Sequence, residues 1–229
     1  MIEIVLARHA EPDWEPGGRA VDHPVLTERG RQQALCLADE LAEEPFDDIY
    51  VSPLPRAQET AAPLLERKGR KGTTQRWLEE LRLPPLEGKS SDEVQKFFEL
   101  ARARDMADWW EPLPGGENFR HFYERVTGGV ESLMLGDHRL GVHEDGGHRI
   151  WTLPPEPRRF LMVAHQGTNA VILSHLLGIE PVPWAWIRFH GCHAGISRVH
   201  TSPAAGGAVW VIEHFNCVTH LASIGELTY

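Results

Sequence analysis

Four side chains in this sequence can grip a compact oxyanion. Arg8 and His9 directly follow the apolar run Ile2-Glu3-Ile4-Val5-Leu6-Ala7. Arg56 follows Asp48-Ile49-Tyr50-Val51 and the turn Ser52-Pro53-Leu54-Pro55, and His165 follows Arg159-Phe160-Leu161-Met162-Val163-Ala164. A guanidinium is a planar fork of donors that matches phosphate geometry, and an imidazole can be nucleophile, base or donor near neutral pH. Two forks and two imidazoles converging on one point suit a phosphoryl group. One histidine after a strand is more often a hydrogen-bonded structural residue. Two at equivalent junctions, each with an arginine at hand, favour a site.

The convergence depends on the elements that carry these residues. β-branched apolar runs predict strands at 2–7, 48–51 and 159–164, with a weaker one at 73–78. Thr27 is placed to cap a helix running to Glu43, along which Ala34, Leu37, Ala38 and Leu41 recur at helical spacing. A second helix from Arg56 carries Ala57, Thr60, Ala61, Leu64 and Leu65 on one face. Further helices are predicted at 90–110, 117–135 and 168–177, the last closed by Gly178 with Pro181 beyond. Residues 136–157, polar and rich in Gly, His and Pro, read as an inserted loop or hairpin. Two final strands, 195–201 and 208–215, flank a Pro/Gly-rich turn. Alternating strands and helices predict a single α/β domain over 1–229, a three-layer sandwich whose mostly parallel sheet is flanked by helices. Ligands of such sheets bind beyond the carboxyl ends of the strands, where Arg8, His9, Arg56 and His165 fall.

Composition narrows the partners. The 229 residues hold 33 acidic and 23 basic side chains, a net charge of −10, which argues against nucleic acid or an anionic membrane as the main partner. No apolar run has transmembrane length, and Met-Ile-Glu-Ile lacks the basic start of a signal peptide. The three cysteines, Cys36, Cys192 and Cys217, form no CxxC pair, which points to a reduced, cytoplasmic protein. The sequence has no GxxxxGK[ST], no HExxH and no GxSxG. His143, Glu144, Asp145 and His148 in the 136–157 insertion have metal-ligand types, and a solvated polar loop is the preferred reading. No metal or cofactor is expected.

The order of the motifs is more specific than any one of them. Arg8-His9-Ala10-Glu11, Leu26-Thr27-Glu28-Arg29-Gly30-Arg31-Gln32-Gln33-Ala34 and Ser52-Pro53-Leu54-Pro55-Arg56-Ala57-Gln58-Glu59-Thr60-Ala61 resemble the histidine phosphatase superfamily, in its phosphoglycerate-mutase-like branch. Its motifs read RHGE, LTxxGxxQA and SPLxRAxQTA. Leu78-Glu79-Glu80, Glu87-Gly88, Gly115-Gly116-Glu117, His165, Gly195-Ile196-Ser197-Arg198-Val199, Asn216 and His220-Leu221 continue the match in family order, almost to the C-terminus.

The resemblance implies a mechanism. His9 is the nucleophile that forms a phosphohistidine, neutral and fixed in tautomer by a hydrogen bond from its other nitrogen. Arg8, Arg56 and His165 hold the phosphoryl oxygens, a pocket that works without a metal ion. Glu80 matches the acid that protonates the leaving oxygen and then assists water, with Glu79 as the neighbouring register. Glu117 and Glu11 are expected near the pocket in supporting roles. Three substitutions depart from the family pattern: Ala10 stands for a Gly, Gln166 for the Gly after the second histidine, and Glu15 for an Asn. Gln166 either presents an amide to the substrate or packs outside the pocket, and Glu15 either turns away or reads a substrate cation. Pro84-Pro85 replaces a Gly-containing turn after Glu80.

The activity implied is a phosphoric monoester hydrolase of histidine acid phosphatase type, acting on a small phosphorylated metabolite. Mutases of the family usually carry an arginine five residues after the second histidine, where this chain has Ala170, so hydrolysis is favoured over mutase activity. A non-catalytic binder of phosphorylated ligands is the third reading, against which His9 itself argues. Trp14, Trp109 and Trp110 either cap the pocket or pack in the core, the latter being the preferred reading, and residues 136–157 are candidates to cover the site or to join a homodimer.

Overall fold

The computed structural model describes residues 1–183, 188–225 and 227–229. Its eight strands form one sheet in the order β3-β2-β6-β1-β7-β8-β5-β4. The parallel part is built from β1 (Ile2–Arg8), β2 (Asp48–Val51), the two-residue β3 (Thr73–Thr74) and β6 (Arg158–Ala164).

The other half corrects the expectation of a mostly parallel sheet. The β7 strand (Ile196–Ala204) returns antiparallel to β1, β8 (Gly207–Cys217) pairs antiparallel with β7, and β4 (Gly141–Asp145) with β5 (His148–Thr152) extends the sheet antiparallel at β8. The physical reason is connection length. Ala205 and Gly206, both at positive φ (49° and 74°), make a two-residue hairpin turn, and so short a link joins only antiparallel strands. Four of the seven pairings are therefore antiparallel.

Side chains alternate across the sheet and create two cores. Val5, Ala7, Ile49, Val51, Leu161 and Val163 face α1 (Glu28–Leu41) and α2 (Pro55–Arg67), which contribute Leu37, Leu41, Ala57, Ala61 and Leu64. Ile2, Ile4, Leu6, Phe160 and Met162 face α4 (Phe119–Glu131) and α5 (Gln166–Leu176), which contribute Phe122, Val126, Val130, Val171 and Leu173. Thr27 caps α1 by accepting from Gly30 N at 2.9 Å. The helix expected over 90–110 is two pieces, α3 (Ser91–Arg102), opened by a Ser90–Glu93 capping box, and a 3-10 turn, Met106–Trp110. Arg104 donates to the carbonyls of Asp108 and Glu111, which fixes the bend. The weak strand expected over 73–78 shortens to β3 and then becomes a 3-10 turn, Arg76–Leu78.

Register sets up the site. Arg8 lies opposite Ala164, and Val51 opposite Val163, so β1, β6 and β2 end level with one another. The next residues, His9, His165 and Ser52, are therefore brought together at one edge.

Candidate active site

His9 is 3% exposed, and its ring is 5.1 Å from that of His165 and 5.4 Å from that of His193. The Nδ1 atom lies 2.8 Å from the carbonyl oxygen of Ala10, which can only accept, so Nδ1 carries the proton. Nε2 keeps its lone pair and accepts from Arg56 Nε at 3.3 Å. Burial, reinforced by His165, Arg56, Arg8 and His193, holds the His9 pKa well below the ordinary imidazole value. The result is a neutral imidazole of fixed tautomer with a lone pair facing a cationic group.

His165 precedes α5 and is fully buried. Its Nε2 is 2.7 Å from Ser52 Oγ, which also accepts from Leu54 N at 3.4 Å. Arg56 occupies the first turn of α2, behind Pro55, and its guanidinium lies 5.0 Å from the ring of Trp14. A cation at the positive end of a helix does not serve helix stability. Arg8 donates to the Gly191 carbonyl at 2.5 Å and contacts His193 Nε2 at 3.0 Å. Burial lowers both arginines to about 10, so both stay charged at neutral pH, and Glu80 is close enough to oppose that shift in each.

Three buried side-chain nitrogens of residues around His9 have no hydrogen-bond partner among the described residues: Arg8 Nε, one terminal nitrogen of Arg56, and His165 Nδ1. Unpaired polar groups in a protein interior cost free energy, and two guanidinium donors close to a nucleophile-competent nitrogen suit the oxygens of a phosphoryl group. The N-termini of α2 and α5 add their dipoles in the same sense.

Glu80 accepts from Leu81 N at 2.9 Å and from Gly167 N at 2.8 Å, with Thr168 Oγ1 at 3.5 Å. Glu79 faces the other way, toward Arg76 at 4.0 Å. Sequence reasoning gave no role to Arg125, which donates to the carbonyls of Trp77 (3.1 Å), Glu79 (3.0 Å) and Glu80 (3.4 Å) and pairs with Glu117 at 2.8 Å. Glu117, its side chain 6% exposed, also pairs with Arg82. It therefore braces the segment that carries Glu80.

The remaining candidates fall outside the cup. Glu11 sits at the start of α1, where its carboxylate accepts from Thr27 Oγ1 at 3.2 Å. Gln166 clasps the 189–191 loop, donating to the Phe189 carbonyl and accepting from Gly191 N. Glu15 turns away and accepts from Ser91 Oγ. Ala10 lies outside the left-handed φ region, so no Gly-only conformation is needed there, and its N–H donates to Thr60 Oγ1 at 2.9 Å. Trp109 lines a cavity beside Glu80, whereas Trp110 packs on Phe119.

His193 also escaped sequence reasoning. It is 4% exposed, donates from Nδ1 to Thr228 Oγ1 at 2.9 Å, and so turns its Nε2 lone pair to Arg8. Burial and the two arginines lower its pKa to about 3. The one available signal was its place just before Gly195-Ile196-Ser197-Arg198-Val199. His143, Glu144, Asp145 and His148 lie on the β4–β5 hairpin, and among the described residues no group of three or more His, Cys, Asp or Glu is set to hold a metal. No helix among them is long and apolar enough to cross a membrane.

Phosphoserine phosphatase 1 of Hydrogenobacter thermophilus is 34% identical over 140 residues, covering 58% of this chain and 64% of that protein. A probable phosphoglycerate mutase of Serratia proteamaculans is 27% identical over 228 residues, 96% of this chain and 95% of that one. A mycobacterial glucosyl-3-phosphoglycerate phosphatase, solved with VO3, superposes with a TM-score of 0.71 at 25% identity, covering 94% of this chain and 99% of that one. The family model of the histidine phosphatase superfamily, branch 1, matches residues 4–217, and the chain belongs to that family.

Proposed function

We propose that the protein is a phosphomonoesterase that hydrolyses a small phosphorylated metabolite through a phosphohistidine on His9. The observation that carries the reading is the neutral His9 imidazole, its Nε2 lone pair against Arg56 Nε, with unpartnered buried nitrogens on Arg8, Arg56 and His165 around it.

In the first half-reaction, His9 Nε2 attacks phosphorus as the bond from phosphorus to the ester oxygen breaks. Arg8, Arg56 and His165 take up the charge on the three equatorial oxygens. Glu80, in its acid form, gives its proton to the leaving oxygen, and the alcohol departs. In the second, the Glu80 carboxylate takes a proton from a water molecule whose oxygen attacks phosphorus. The P–N bond breaks, phosphate leaves, and His9 and Glu80 return to their starting states. Ser52 and His193 fix the orientation of His165 and Arg8.

A phosphoglycerate-type mutase is the second reading, supported by the near full-length likeness to the Serratia protein. Against it, position 170 holds a fully buried alanine, so α5 offers no cation there to retain a phosphorylated intermediate. The test is phosphate release from an activated aryl phosphate in the presence of a chelator. Release by the wild type and none by a folded His9→Ala variant is expected. Equal release by both would overturn the proposal, and isomerisation of a phosphoglycerate without phosphate release would move it to the mutase.

A further inference from the structure

Beside Glu80 opens a cavity of about 670 Å3 that runs away from the phosphoryl cup. Glu80, Gln166 and Gly167 line it where it meets the site, and its walls include Leu81, Leu83, Phe98, Trp109 and Leu113. Of the three arginines along it, Arg82 pairs with Glu117 and Arg104 donates to the carbonyls of Asp108 and Glu111, while Arg102 and His190 add polar groups to the lining. What these walls offer a ligand is largely hydrocarbon and aromatic face.

Helix α3 makes the same point from the other side. Val94, Phe97, Phe98 and Ala101 recur at i, i+3, i+4 and i+7, an apolar stripe of the kind that normally seals against a core. Yet no residue of α3 is buried. Phe97 and Phe98 touch edge to face at 5.3 Å, and Phe98 and Ala101 front the cavity. Among the described residues the stripe of this well-capped helix is only half-buried, and its Phe98–Ala101 end opens on the cavity, which suits an apolar ligand there.

The cavity adjoins the carboxyl group placed to protonate the leaving oxygen, so the group that fills it is the alcohol part of the substrate. We propose that the preferred substrate is, among small phosphorylated metabolites, the phosphate monoester of an apolar, ring-bearing alcohol, with its rings between Phe98 and Trp109, rather than a phosphorylated hydroxy or amino acid. Phosphoserine or phosphoglycerate would leave most of 670 Å3 unfilled. This inference rests on the phosphomonoesterase reading and adds the leaving-group class to it.

The test compares kcat/KM for ethyl, 2-phenylethyl and 2-(1-naphthyl)ethyl phosphate, whose leaving groups are of nearly equal basicity, and for phosphoserine. The expected result is a rise of about tenfold for each step up in ring size, the scale set by burying that much apolar surface. Trp109→Ala and Phe98→Ala should each reduce the naphthyl-to-ethyl ratio several-fold, with Trp109→Phe keeping most of it. A purely structural role would lower both esters by one factor and leave the ratio intact, which would overturn the proposal. A flat series, or preference for phosphoserine, with release still dependent on His9, would overturn this inference alone. Failure of every ester to show His9-dependent release would overturn the phosphomonoesterase reading and this inference with it.

Discussion

Acidification should unfold this protein through its buried imidazoles, and His193 allows the effect to be sized. Its folded-state pKa is depressed to about 3, against an ordinary value of 6.5. Above pH 6.5 both folded and unfolded forms hold it neutral, so its contribution to stability is fully present. As pH falls from 6.5 toward 3, the unfolded chain binds a proton that the folded chain refuses, and stability is lost. Between pH 7 and pH 5 that loss is about 2 kcal/mol for this one ring. His9 and His165, also held neutral by burial and by the arginines, add to it in the same direction. The perturbation is His193→Asn, which keeps an acceptor for Arg8 and removes the titration. Urea unfolding in phosphate-free buffer measures it. The stability gap between wild type and variant at pH 7 should shift by about 2 kcal/mol in favour of the variant at pH 5, or about 0.7–1 M urea for an m-value of about 2–3 kcal/mol/M. Parallel stability curves across that range would refute the reasoning, because they would mean that His193 titrates alike in both states.

Three further outcomes follow from the contacts. Arg56→Ala should lower kcat about 10²–10³-fold with the fold retained, the usual effect of deleting one aimed donor, as measured by steady-state phosphate release and circular dichroism. Glu80→Gln should lower kcat/KM, which reports the phosphoryl-transfer half, far more for alkyl esters than for activated aryl esters; an equal fall for both would move the acid role elsewhere. Arg125→Met should destabilise the protein by about 1–3 kcal/mol in chemical denaturation, since it leaves the Glu117 carboxylate with Arg82 alone and three carbonyls without their donor, and adding Glu117→Gln should restore part of that loss.

The central groups were legible because each sits where a strongly apolar run stops, and strand ends are the best-marked feature of such a sequence. Arg8, His9, Arg56 and His165 needed only that rule and the edge of the sheet. Pairing direction was less legible, since the α/β alternation of the first half says nothing about β7, which returns beside β1 from 189 or more residues away. The two-residue turn at Ala205-Gly206 was the local clue, and it outweighs the alternation. His193 was hidden because its partners, Arg8 and Thr228, are distant in sequence. Arg125 reads as a surface cation of an amphipathic helix, and only the fold turns it toward the carbonyls of Trp77, Glu79 and Glu80. Gln166 carries both of its sequence readings: its amide bonds to the 189–191 loop, and the residue also lines the cavity beside Glu80. The apolar stripe of α3 was visible as periodicity, which cannot distinguish a face awaiting protein from one awaiting a ligand.

The central claim is a covalent bond between phosphorus and His9 Nε2. Its most direct test is to quench the enzyme in alkali during turnover of an aryl phosphate and to map the added phosphoryl group by mass spectrometry. The account predicts an acid-labile, alkali-stable phosphohistidine on the peptide holding His9, absent from His9→Ala and accumulating in Glu80→Gln with the same activated ester. Turnover with no phosphoryl group on His9 in wild type or in Glu80→Gln, or with label on another residue, would contradict it.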